Sequence, residues 1–386
     1  MAERLIIVGA STRAAAQSAV RGGFRAWCID QFGDQDLRAC AEHVEVVDDW
    51  PQGILSIIPQ IPPGTLVITG ALENAPSILA RLRERLPFAG CDVDSMRALR
   101  DPHNLQQILE QAGLDALQVS LREPAVGRPA NEPSVRWLEK PLKSAAGFRI
   151  RFHEPASTDE STRPDDRNLP PRSYFQQFVE GDSISGLFLS SGEDCQLVGL
   201  TRQLIGLDEA GCSGFRYCGS IGPLAPGDLS PRAFELARRI GSTLAEATGC
   251  RGLFGCDFLW DSDDESLHVC EVNPRYSASA EVLEPAGRVP LMSLHLNACR
   301  GQLPDSVNEP AADAEYHGKL ICFAKRSFRA NLLKSLPPEI RIADLPSEDS
   351  EIAVGHPVCT VLAKGDSESS ARAALFKAAA EIHRLT

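Results

Sequence analysis

Positive charge is in short supply: 39 lysines and arginines stand against 52 aspartates and glutamates, for a net charge of −13. A phosphate backbone calls for a basic surface, so nucleic acid is excluded as the expected partner. An anionic small molecule is not excluded, because a metal ion and a few local basic groups can meet its charge. The sequence has no apolar run of roughly 18 residues, so no membrane-spanning helix is predicted. The opening MAERLIIVGAS holds only the short apolar run Leu5 to Val8, so no signal peptide is expected and the predicted location is the cytoplasm. The 12 cysteines include no C-x-x-C pair, and Cys250, Cys256 and Cys270 lie in apolar segments. Reduced core thiols are therefore expected rather than a zinc site or a disulfide framework. There is no G-x-G-x-x-G loop, no recognisable Cys–His or Ser–His nucleophile pair, and no internal repeat.

What is present is an ordinary soluble composition, 43% hydrophobic and 24% charged over 386 residues, enough for two or three domains. RLIIVGAS, TRAAAQSAVRGG and FRAWCID read as strand, helix and strand, which implies a right-handed parallel crossover. GTLVITG and APSILARLRERLP repeat the pattern. The turn at Gly9 resembles a nucleotide loop, but a plain strand–helix turn is the simpler reading. DPHNLQQILEQAGL predicts a helix with Asp101 as N-cap and Pro102 at its first position. VRWLEKPLKSAAGFRIRF reads as strand, turn, strand. Residues 154–172 are polar and proline-rich and are expected to be a mobile loop. SYFQQFVEGDSISGLFLSS and CQLVGLTRQLIGL read as strands, and SPRAFELARRIGSTLAEATG as an amphipathic helix closed by Gly249. A hairpin at 253–273, a helix in PLMSLHLNACRG, and short strands with a final helix after 317 complete the chain.

HVCEVNPRYS, residues 268–277, carries the chemistry. Side chains two apart on a strand share a face, so Glu271 and Asn273 line one side and Arg275 follows. If Trp260 pairs with Ser266, Asp257 pairs with Val269 and Gly255 with Glu271, which puts Asp257 diagonal to Glu271. The opposite face would carry Cys256, Phe258, Trp260, Cys270 and Val272. A hairpin loop one residue longer or shorter would turn Asp257 toward the core, so this register is a specific expectation. Two carboxylates and an amide oxygen converging on one face suit Mg²⁺ that shares its shell with phosphates; the alternative is a solvated charged face. Lys140 and Lys143 of WLEKPLKSAAG sit on a strand and turn ending in small residues, where backbone amides can approach a phosphate. Taken alone, a lysine in a strand is more often a snorkelling surface residue than a ligand.

Together these pieces, in order over residues 5–365, resemble the ATP-grasp superfamily, and within it the biotin-carboxylase-like branch of carboxylate–amine ligases. The resemblance implies an α/β plus α+β fold: an N-terminal Rossmann-like α/β domain (1–98), a small lobe (99–175), a large lobe with the metal site (176–310) and a C-terminal β-rich segment (311–386), the two lobes gripping ATP. Lys140 matches the nucleotide-contacting lysine of the KP…G strand. QQFVEG matches the hinge Q-x-[FY]-[IV]-x-G, so Gln176, Gln177 and Val179 would hold the base and Glu180 or Asp182 the ribose. Asp257, Glu271 and Asn273 match the metal ligands, for one or two Mg²⁺ or Mn²⁺ ions, and Arg275 matches the arginine facing the acyl phosphate. The chain departs from the pattern at DPHN, where many members carry a lysine, and at KSAAG, which has fewer glycines than the biotin carboxylase flap. There is no biotinyl-acceptor MKM. The opening GASTRAAAQSAVRGGFRAWCID is similar to that of ligases of one-carbon carrier cofactor biosynthesis (methanofuran and tetrahydromethanopterin), some of which join glutamate to an amine.

The implied chemistry is activation of a carboxylate as an acyl phosphate by Mg·ATP, then attack by an amine. Lys140, with Lys143, would neutralise phosphate oxygens, and Arg275 would steady the carboxylate or tetrahedral oxyanion. Arg202 is a second catalytic candidate; it reads equally well as a strand-surface charge. Glu281 and Glu284 would bind an amine or cap the next helix, with capping preferred. The expected partners are a small-molecule carboxylate and an amine, with a homodimer as the assembly to test. Two other readings stay open: bicarbonate activation on the same fold, and a non-catalytic nucleotide-binding regulator.

Overall fold

The computed structural model describes residues 2–124, 135–154, 173–286, 289–307 and 315–385. Of the stretch expected to be mobile, residues 155–172 lie outside the described residues. Strands β1 (Arg4–Val8), β2 (Arg25–Asp30), β3 (His43–Val46) and β4 (Thr65–Ile68) form a parallel sheet in the order β3-β2-β1-β4. β1 is buried on both faces from Leu5 to Val8, which is why it reads as an unbroken apolar run. A second sheet, in the order β5-β8-β6-β7, joins β5 (Val119–Ser120), β6 (Trp137–Pro141), β7 (Arg151–Phe152) and β8 (Ser173–Gln177).

The third sheet has eight strands. β9 (Asp182–Ser191), β10 (Cys195–Ile205), β11 (Tyr217–Gly222), β12 (Arg251–Asp261), β13 (Ser266–Asn273), β14 (Tyr316–Phe323), β16 (Arg341–Ala343) and β18 (Pro357–Gly365) run in the order β13-β12-β9-β10-β11-β14-β18-β16. β15 (Phe328–Arg329) and β17 (Glu351–Ile352) form a separate ribbon. The last third of the chain thus continues the sheet that carries the Glu271 hairpin.

Helices α1 (Arg13–Arg21), α2 (Gln35–Cys40), α3 (Ile54–Ile57), α4 (Pro76–Arg83), α5 (Val93–Arg100), α6 (Pro102–Gln111), α7 (Pro231–Thr248), α8 (Ala280–Leu283), α9 (Leu291–Cys299) and α10 (Glu368–Leu385) pack on these sheets. α6 starts as its sequence dictates: Asp101 accepts from the His103 and Asn104 amides, and Pro102 holds the first position. None of the described helices is long and apolar enough to cross a membrane. All twelve cysteines are free thiols.

α7 and α9 cover opposite faces of the eight-stranded sheet. Phe188, Phe254 and Phe258 pack under Ala237, Ile240 and Leu244 of α7, while Leu187, Leu189 and Leu253 pack with Leu291, Met292 and Leu296 of α9. Gly241 lets α7 approach, because a Cβ there would stand 2.3 Å from the Phe188 ring. Replacing a helical glycine by alanine ordinarily gains about 1 kcal/mol. Here overpacking, at about 1–3 kcal/mol, outweighs that gain. Gly241→Ala is therefore expected to lower the midpoint of thermal unfolding, and a rise in midpoint would contradict this account of the packing.

Candidate active site

The β12–β13 hairpin corrects the expected register. Asp261 pairs with Ser266, Trp260 with Leu267 and Phe258 with Val269; the register then shifts, so that Asp257 faces Glu271, Cys256 faces Val272 and Gly255 faces Asn273. The turn is tighter than expected, which alone would have moved Glu271 to the core face. Cys270 is the extra residue of a β-bulge, and it restores the parity. Leu267, Val269 and Val272 pack with the buried Cys256, Phe258 and Trp260, while Asp257, Glu271 and Asn273 share the other face. Cys270, expected among the core residues, is only half-buried. Its carbonyl accepts hydrogen bonds from Lys140 Nζ at 3.4 Å and Gln176 Nε2 at 3.2 Å.

Those two bonds join the small sheet to the hairpin. Lys140 is 6% exposed and also donates to Gln176 Oε1 at 2.9 Å. Burial works against its charge, but Tyr174 and Glu271 outweigh that and raise its pKa. The ammonium therefore stays protonated at neutral pH. Beyond β8, residues Phe178, Val179, Glu180 and Gly181 line a cavity of about 760 Å³ with Gln176 and Gln177. The turn Ser144–Gly147 forms another part of its wall. Gly147 adopts φ +71°, and a Cβ there would meet the Phe215 carbonyl at 1.9 Å, while the Tyr217 amide donates to the Ala146 carbonyl at 3.1 Å. The turn is thus held against the eight-stranded sheet.

Asp257, Glu271, Asn273 and Arg275 open into the same cavity. Asn273 Nδ2 donates to Asp257 at 3.2 Å and to Glu271 at 3.3 Å, and its Oδ1 accepts from Arg275 at 3.0 Å. Arg275 also donates through Nε to Glu73 at 2.8 Å. Burial and the Glu271 charge push Asp257 up to about 7. Burial also opposes ionising Glu271, but Arg100 and Lys140 hold its carboxyl below the ordinary value.

Three of the expected residues lie elsewhere. Asp257 pairs with Ser185, and Ser185 with Thr201, so Arg202 and Asp182 fall on the opposite face of the sheet. There Arg202 bonds Asp182 at 2.7 Å and Glu368 at 3.3 Å. Lys143 is exposed on the turn and is absent from the cavity wall. Glu284 does cap, accepting from the Leu291 amide at 3.1 Å, and it pairs with Arg21 and Ser18. Glu281 does not cap: it pairs with Arg13 and Lys319 in the cavity wall.

Sequence reasoning missed several neighbours. Gln203 donates to Asp257 at 2.9 Å, and Arg100 stands 3.7 Å from Glu271. Arg13, Lys319, Asp344 and Thr360 come from three distant parts of the chain. Only the face opposite Arg202 could have pointed to Gln203; for the others no local pattern exists.

Residues 104–279 match the family model for the ATP-grasp domain. That segment is an ATP-grasp domain. The chain is 29% identical over 161 residues to formate-dependent phosphoribosylglycinamide formyltransferase of Corynebacterium glutamicum, a match covering 41% of this chain and 38% of that one. The chain thus spans well under half the length of that curated relative. Among solved structures the whole ATP-grasp fold matches biotin carboxylase of Campylobacter jejuni, with a TM-score of 0.68, 13% identity and coverage of 95% of this chain and 89% of the other. It likewise matches an L-amino acid ligase of Bacillus licheniformis, with a TM-score of 0.66, 14% identity and coverage of 98% and 97%.

The donor set fits Mg²⁺. Among the described residues no three His, Cys, Asp or Glu side chains gather as a metal site. Here there are two carboxylates and an amide, which suits an ion that keeps waters and takes phosphate oxygens. The Asn273 and Gln203 amides now donate to the carboxylates, in the place a cation would take. A carboxyl raised in the fold favours the protonated form, so its contribution to stability falls as pH rises from its unfolded value of about 4 through about 7. The metal-free protein is therefore expected to lose thermal stability over that window, and Asp257→Asn to reduce the loss to the share that Asp34, raised by burial to about 8, contributes. Nucleotide-supported Mg²⁺ binding should release about one proton near pH 6 and almost none near pH 8. Calorimetry in buffers of different ionisation enthalpy measures that release; none at either pH would contradict the assignment.

Proposed function

We infer that the chain is a Mg·ATP-dependent, ADP-forming carboxylate–amine ligase. The observation that carries this reading is the opposed Asp257–Glu271 pair, opening with Arg275 into a cavity that Lys140 and the 178–181 hinge also wall. ATP lies with its base at the hinge and its phosphates between Lys140 and the carboxylate pair. Asp257, Glu271 and Asn273 would hold Mg²⁺, which supplies charge neutralisation at the terminal phosphate. A substrate carboxylate beside Arg275 attacks the γ-phosphorus, the bond to the β-phosphate oxygen breaks, and ADP leaves. The amine then attacks the acyl carbon, the carbon–oxygen bond to phosphate breaks, and the amine sheds its proton as the amide forms. The protein's share is positioning and electrostatics.

Arg275 is pre-set by Glu73, whose side chain is 1% exposed, so it faces the carboxylate without reorganising. Glutamate and a cofactor-precursor amine are the first substrate pair to test. The free thiols accord with a cytoplasmic setting.

Phosphorus NMR of turnover mixtures containing paired carboxylates and amines tests the reading. ADP and phosphate are expected, with turnover lost in Glu271→Gln. AMP and pyrophosphate would overturn the acyl-phosphate route, ADP release with bicarbonate alone would favour carboxylation, and no release with any pair would favour a regulator.

The two basic residues should separate kinetically. Lys140→Ala removes a buried charged donor and is expected to raise the KM for ATP by about tenfold or more. Arg275→Ala should lower kcat by about a hundredfold with ATP affinity nearly kept. Steady-state kinetics on both variants checks this, and equal defects in ATP binding would refute the division of roles.

A further inference from the structure

Arg100 is the last residue of α5, and its guanidinium lies in the cavity wall beside the acidic pair. Nη1 stands 3.7 Å from a Glu271 oxygen and reaches the Val272 carbonyl at 3.4 Å, while Nη2 donates to Asn74 Oδ1 at 3.2 Å. These contacts are long, since a guanidinium bound to a carboxylate ordinarily stands at about 2.7–2.9 Å. Arg275 and Arg13, by contrast, each hold a carboxylate at 2.8 Å. The Arg100 Nε has no partner among the described residues, so the fork keeps unused N–H groups. The side chain is 17% exposed, so those groups are accessible from the cavity that it lines.

The hairpin sets the order of the groups along the cavity. Its hinge end is marked by Gly181, where a Cβ would meet the Trp260 carbonyl at 2.8 Å, and Trp260 pairs with Leu267. From there β13, the edge strand of the large sheet, runs away from the hinge. Lys140 takes the Cys270 carbonyl, Arg100 takes the Val272 carbonyl, and Arg275 follows, bonded to Asn273. Two strand residues advance about 7 Å, so Arg100 is held that much farther from the hinge than Lys140. Asn74, which holds Arg100, also donates to the Ser144 carbonyl at 3.1 Å. Arg100 therefore lies between the Ser144–Gly147 turn and the Asp257–Glu271 pair.

We propose that Arg100 is the second phosphate-binding cation of this site and that it contacts the terminal phosphate of the nucleotide. The proposal rests on the ligase reading and fills the role that Lys143, outside the cavity wall, does not. With Mg²⁺ on the acidic pair, Glu271 no longer offers Arg100 an uncompensated charge, and the guanidinium stands close to a dication. A terminal phosphate between the two relieves that repulsion, because its oxygens accept from the guanidinium and ligate the metal together. A diphosphate held by the hinge and Lys140 ends short of that point. The competing role for Arg100 is to keep Glu271 ionised and in place, and it would serve every nucleotide alike.

Calorimetric titration of the full chain with Mg²⁺ compares a non-hydrolysable ATP analogue with ADP. Arg100→Ala is expected to weaken the analogue by about tenfold or more and ADP by less than about twofold. Arg100→Lys keeps the charge and should weaken the analogue by no more than about threefold. Comparable losses for both nucleotides would mean that Arg100 only holds Glu271, and a loss for neither would mean that it meets no phosphate; either result overturns the proposal. If circular dichroism shows Arg100→Ala to be unfolded, Arg100→Gln replaces it: it keeps a donor for Asn74 or Val272 without the charge, and must lose the analogue selectively where Arg100→Lys does not. The two readings fail separately. Selective loss of the analogue with AMP and pyrophosphate as products defeats the ligase reading alone. ADP formation from a carboxylate–amine pair, with equal losses for both nucleotides in Arg100→Ala, defeats this assignment alone.

Discussion

Two carboxylates facing each other across one rung of a hairpin repel, and the rest of the site is organised around that repulsion. The β-bulge at Cys270 creates the arrangement. Carried on unbroken, the register of the turn would set Asp257 opposite Cys270 and Glu271 opposite Cys256, on the apolar face. One extra residue lifts Glu271 out of the core and sets it against Asp257. A bulge leaves backbone groups without ladder partners, and here the freed Cys270 carbonyl is taken by Lys140 and Gln176. The same irregularity therefore makes the acidic pair and ties the small sheet, through its one buried lysine, to the large one. Lys140 in turn helps to keep Glu271 ionised beside a neighbour that burial and charge have pushed toward protonation.

The cations around the cavity are largely committed. Arg275 is engaged by Glu73 and Asn273, Lys140 by Gln176 and Cys270, and Arg13 and Lys319 by Glu281 and Asp344. A nucleotide triphosphate brings more negative charge than Lys140 and Arg275 can meet. A divalent ion held by the Asp257–Glu271 pair would offset both excesses at once, so an acidic cavity is compatible with a nucleotide site.

The parts of this legible in the sequence were those governed by short periods. Spacing by two put Glu271 and Asn273 on one face, and Asp101-Pro102 fixed the start of α6. The register was not legible, because it depends on a tight turn and a compensating bulge that one strand's alternation does not reveal. The same one-residue sensitivity separates Arg202, which faces Asp182 and Glu368, from Gln203, which reaches Asp257. Arg13, Glu281, Lys319 and Asp344 were invisible as a group for a different reason. They meet only because β14 and β18 extend the sheet that begins with β9, and because α1 approaches it from the parallel domain. Contacts that depend on tertiary closure leave no periodic trace.

The two ends of the cavity differ in what they can hold, and that difference bears on the order of the chemistry. At the Lys140 end the unmet charge is paired with a place for a metal ion, and an anion carried with that ion is welcome. At the Glu281–Asp344 end the cations are internally satisfied, and a bare anion finds no partner. Arg275 is anchored by Glu73, and on the ligase reading a carboxylate would be activated beside it. By the same reading, a substrate carboxylate would be drawn toward Arg275 and the nucleotide phosphates.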